Sequence, residues 1–185
     1  MCYVISVCIL GLTMLCTLMH GLTLSKDTVS HMMLTYDPYR IVLSTCIILQ
    51  LGFWAVCLYS KRSIDPDTAG WGFFSLGITT CSWVGLTTIL SGDLHYAFVC
   101  IFIAFFFFDL LIMCNLTRQR CAGEVLIAGI GLLLLCIVAM IILFNNKEFY
   151  IMEHVAFISY SLVFTAFFLV HTPAEWGEEP MEYAI

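Results

Sequence analysis

The sequence predicts an all-α fold: a polytopic transmembrane helical bundle of about six spans, with both termini in the cytosol. Three observations carry this expectation. Of the 185 residues, 62% are hydrophobic and 11% charged, where a soluble domain has about 45–50% and about 25%. The apolar residues gather into six stretches, each near the roughly 20 residues a helix needs to cross the hydrocarbon core. Finally, a stretch such as "LIAGIGLLLLCIVAMIILF" is apolar on every side, which suits a helix and not a barrel strand with alternating faces.

The expected spans cover residues 2–24, 41–60, 71–90, 95–116, 125–144 and 151–170. The first lacks the positive n-region of a signal peptide and is read as a span. The second ends on "SKR", and the third follows the connector "KRSIDPDTAG". The tight turn "SGD" opens the fourth, "TRQRCAGE" leads into the fifth, and "NNKEFY" precedes the sixth. All four prolines fall in connectors, so the broken helices common at transporter binding sites lack their usual pointer, and no glycine pair is spaced as GxxxG.

The connectors, including "SKDTVSHMMLTYDPYR" between the first two spans, are too short for a separate domain of about 50 residues. The chain therefore reads as one transmembrane domain over residues 1–171, with a short acidic tail over 172–185. Lysine and arginine in short loops favour the cytosolic side. Lys61, Arg62, Arg118 and Arg120 then form the inner interface, and Lys26, Arg40 and Lys147 lie outside. Other integral membrane proteins and membrane lipids are the expected partners, with bound lipid among the ligands suggested and no nucleic acid.

Nine of the ten cysteines lie within expected spans and Cys121 in an inner loop, so they form no disulfide framework and no zinc-ligand spacing. They read as small packing residues. Cys114 and Cys121 near the cytosolic interface are candidates for palmitoylation. The sequon "NLT" at 115–117 falls at the cytosolic end of the fourth span and reads as accidental.

The polar residues are more informative. Asp93 and His95 in "SGDLHY", with Glu153 and His154 in "YIMEHV", can converge if the fourth and sixth spans are neighbours. Together they would make an outer polar site at the headgroup level for a metal ion or a lipid phosphate. The same residue types also suit a wet interface, where an acid at a helix N-terminus gains about 0.3–1 kcal/mol from the helix dipole. No histidine pair at mid-depth supports a haem sandwich.

Asp109 is the deepest charge. At about 1.5 Å per residue it lies about 21 Å along its helix from His95, nearer the cytosolic end. A central carboxylate costs about 2.5–3.5 kcal/mol, so it should face other helices and be paired or protonated. Candidate partners are a hydroxyl (Thr45, Thr79, Thr80, Ser82, Ser159, Ser161), Gln50, a snorkelling Arg118, or a group supplied in trans. Phe105 to Phe108 encircle the helix and are expected to cover its lipid side.

The order of spans, the turn "ILSGDLHYAFVCIFIAFFFFDLL" and the acid opening "YIMEHVAFISYSLVFTAFFLV" resemble the six-span proteins related to the damage-regulated autophagy modulators, the Frag/DRAM/Sfk group. In that group a histidine near the start of the fourth span and a glutamate at the sixth sit in comparable places, here His95 and Glu153. The resemblance implies association with lysosomal or surface membranes, autophagy and lipid-anchor remodelling. The chain departs from the pattern in its short first outer loop, which has no cysteines.

Two function classes follow, with a third behind them. One is a non-enzymatic accessory subunit or modulator, favoured by short loops and unbroken helices. The second is a lipid-modifying or metal-dependent enzyme built on Asp93, His95, Glu153 and His154. A proton or ion pathway would rest on Asp109 alone.

Overall fold

The computed structural model describes residues 2–24, 27–62, 65–89, 92–117, 120–143 and 149–171. Among them the chain is helical: α1 (Cys2–Leu24), α2 (Val29–Thr35), α3 (Asp37–Lys61), α4 (Pro66–Thr88), α5 (Asp93–Leu116), α6 (Arg120–Leu143) and α7 (Phe149–Val170). Five of these, α1, α3, α5, α6 and α7, are long and apolar enough to cross a membrane, and the chain is a multi-pass integral membrane protein. The tail over 172–185, Arg118 and the side chains of Asp93 and Arg120 lie outside the described residues.

Local chemistry sets the helix starts. Pro38 and Pro66 occupy the first turns of α3 and α4, where a missing N–H costs nothing, so they begin helices and do not stand in connectors. The Asp65 carboxylate caps α4 by accepting from the Thr68 N–H at 3.0 Å. Gly92, before α5, has φ of 84°, a left-handed turn that glycine adopts without strain. Two further expectations are corrected. The first connector contains α2, whose N-cap Thr28 accepts from the His31 N–H at 3.1 Å, and Cys121 lies within α6 and not in a loop. All ten cysteines are free thiols.

The six long helices form a ring in the order α1, α3, α4, α5, α6, α7 and back to α1, and α2 lies over one end against α1, α3 and α7. The contact of α4 with α5 is the most extensive and that of α5 with α6 the slightest. Lipid tails are as apolar as leucine, so burial does not drive such helices together; close packing and hydrogen bonds do. Single glycines provide that closeness. A Cβ on Gly11 of α1 would collide with Thr165 Oγ1 of α7, and one on Gly129 of α6 would stand 2.6 Å from a Val163 methyl of α7. Inside the ring, Trp54 of α3 meets Phe167 at 5.0 Å and Phe168 at 4.9 Å between ring centres.

The third expected span, α4, is 23 residues long but rich in glycine, serine, threonine and tryptophan. Its polar residues Ser75, Thr79 and Ser82 are buried, which puts its polarity on the face turned into the bundle.

Candidate functional site

At the α2 end of the ring, Glu153 of α7 accepts from the Val29 N–H at 2.9 Å, the Ser30 N–H at 3.3 Å and the Ser30 hydroxyl at 2.9 Å. These bonds occupy three of the roughly four lone-pair directions of a carboxyl group and tie α2 to α7. Ser30 carried no local sign of this partnership, because nothing separates "VSHMMLT" from an ordinary polar connector.

His95 and His154 each direct Nδ1 at a main-chain carbonyl, that of Ile89 at 2.8 Å and that of Tyr150 at 2.9 Å. A carbonyl only accepts, so both rings carry their proton on Nδ1. The His154 Nε2 is buried against Gly21 and the Tyr39 ring, with no hydrogen-bond partner. Successive helical residues point about 100° apart, so Glu153 and His154 serve different neighbours. Among the described residues, no three His, Cys, Asp or Glu side chains are placed to hold a metal ion.

Below Glu153 lies a partly open cavity of about 140 Å³, lined in part by α5 and α6, whose mutual contact is the slightest in the ring. Val29, Ser30 and Met33 of α2 and Leu86 of α4 line its upper end, and its polar lining residues are Glu153, Ser30 and Tyr160. Phe102, Phe106, Leu133 and Tyr160 form its inner wall, and the half-buried Val99, Ile103, Phe107, Ile137 and Met140 belong to its α5 and α6 sides. The sequence did not announce this space, since its residues come from five helices and each alone reads as ordinary span.

Asp109 faces the interior and is 7% exposed. The Thr79 hydroxyl lies 2.6 Å from its Oδ2 and 3.1 Å from the Ser75 carbonyl. A hydroxyl has one hydrogen and cannot serve both acceptors fully. A protonated Asp109 donating to Thr79, with Thr79 donating to Ser75, satisfies both. Ser75 itself donates to the Phe105 carbonyl at 3.3 Å, so two residues one turn apart on α4 anchor α5. Thr79 was among the hydroxyls the sequence suggested; Ser75 was not. Phe106 is buried in the core and Phe108 is 44% exposed, so the phenylalanine run divides between interior and lipid sides.

Gln50 is fully buried on α3 with no hydrogen-bond partner for its amide. At the other end of the ring Lys61 is buried and Arg62 exposed. No family model, curated protein or solved structure matches the chain.

Proposed function

We propose that the chain is a six-span membrane protein, α4 included, with both termini cytosolic, acting as a non-enzymatic accessory subunit or modulator of a larger membrane complex or of membrane lipid and autophagy processes. The observation that supports this reading is the use made of its polar groups. Asp109 binds Thr79 across α4 and α5, and Glu153 binds α2, so both acidic groups hold helices to one another. The outward faces are apolar and broad: on α6, Ile127, Leu135, Ile141 and Ile142 are 66%, 69%, 71% and 75% exposed. Such faces must be covered by lipid or by another membrane protein. The likeness of His95 and Glu153 to the autophagy-modulator group belongs to the same proposal.

Purification in mild detergent followed by native mass spectrometry tests the subunit role. A stoichiometric integral membrane partner is expected, and a chain that runs alone at every detergent condition refutes it. Epitopes placed after residue 62 and after residue 185 should both be shielded in intact cells. Surface labelling of either one overturns the orientation.

A further inference from the structure

We infer that the cleft between α5, α6 and α7 is a binding site for one acyl chain of a membrane lipid whose headgroup donates hydrogen bonds and carries no net negative charge. The inference goes beyond the subunit reading and stands whether or not a partner is found.

Position comes first. The cleft lies among helices of membrane-spanning length, and its α5 and α6 sides carry half-buried apolar residues, so its open side faces the hydrocarbon between those helices. From Glu153 to Tyr160 it runs seven residues along α7, about 10 Å at about 1.5 Å per residue.

Chemistry selects the occupant. A cavity of about 140 Å³ whose lining is mostly apolar side chains readily takes an apolar ligand. The carboxyl group stands at the α2 end, where Glu153 and Ser30 meet the space, and Tyr160 is the one polar residue in the lining away from that end. An amphiphile is thereby oriented, tail toward Tyr160 and head toward Glu153. Ser30 spends its hydroxyl hydrogen on Glu153 Oε1, so what this pair offers a headgroup is acceptor lone pairs. An ammonium or hydroxyl group complements them. A phosphate monoester, which brings negative charge and acceptors, does not.

The seam explains how a chain gets in. The slight contact between α5 and α6 leaves a lateral opening, whereas the tight α4–α5 contact offers none. Of the wall residues, Ala156 is the smallest, and a larger side chain there would occupy the cleft from α7.

The test uses the full chain in phosphatidylcholine vesicles carrying a trace of phosphatidylethanolamine with a diazirine in its acyl chain, and a matched phosphatidic acid probe. Photolysis should place adducts at Val99, Ile103 and Phe107 and at Leu133, Ile137 and Met140 well above the level at exposed α6 positions such as Ile127, and the ethanolamine probe should exceed the phosphatidic acid probe several-fold. Ala156→Phe should remove most cleft adducts and leave those at Ile127 unchanged. Ile103→Trp, at the rim, serves the same end if the first variant does not fold. Glu153→Gln should bring the two probes toward parity. Adducts spread evenly over all lipid-exposed positions, or unaltered by both filling variants, overturn the site; equal labelling by the two probes in the unmodified protein overturns the headgroup preference.

Discussion

A carboxyl group enclosed by helices is costly without hydrogen-bond partners, and at Asp109 the partner is Thr79, on Oδ2, while Oδ1 is buried with none. Asp109→Asn keeps the size and the hydrogen bonding of the side chain, so stability should change by less than about 1 kcal/mol. Thr79→Val is nearly isosteric but removes the partner of Oδ2 and leaves a buried acid unsatisfied, at a cost of about 1–3 kcal/mol. Asp109→Leu should be milder than Thr79→Val, since the Thr79 hydroxyl still reaches the Ser75 carbonyl at 3.1 Å. Thermal unfolding in one detergent ranks the three variants. If Thr79→Val proves the most stable of them, the pairing is not what holds α5 to α4.

At the scale of elements, α2 depends on a residue 123 and 124 positions away in sequence. Seven residues are too few for a stable isolated helix in water, so α2 persists through its contacts. Glu153 supplies acceptors for two main-chain N–H groups at its start, and the buried Met32 and Met33 hold it against the bundle. Glu153→Ala should therefore loosen α2 while leaving α7 helical. Hydrogen exchange would show it: the Val29 and Ser30 amides should lose protection by tenfold or more, and amides in the middle of α7 should not. Unchanged protection at Val29 would mean that the methionines alone dock the helix. Glu153→Gln, which retains one acceptor oxygen, should fall between.

For the whole molecule, the ring closes because α7 approaches α1 and α6 closely at glycines on both sides. At Gly129, a Cβ would lie 2.6 and 2.7 Å from the two Val163 methyls, and a β-branched side chain in a helix has little freedom to turn away. Gly129→Ala should cost about 1–3 kcal/mol through overpacking. Gly52, with no atom within 4 Å of an added Cβ, is the control. There the same change should stabilise by up to about 1 kcal/mol from helix propensity. Equal stabilities for the two variants would show that the α6–α7 approach is looser than the structure has it.

What the sequence determined by itself was the class of fold and the length of its parts. Long apolar runs force helices in lipid because every main-chain group must be paired within its own segment, so the α1, α5 and α7 boundaries fall within two residues of those read from hydropathy. It also marked Asp109 as inward-facing and offered Thr79 among its partners, since an acid at that depth has few alternatives. Tertiary structure alone decided which side chains meet. Apolar runs with almost no amphipathic contrast do not say which face turns inward, so the ring order, the glycine contacts and the cleft beside α5 and α6 had no local signature. Glu153 and His154, two of the residues expected in one polar site, took different partners for the same reason. Glu153 was taken up by the main chain of a short helix hidden in a polar connector, and His154, one residue on, was turned by the helical pitch toward Gly21 and Tyr39.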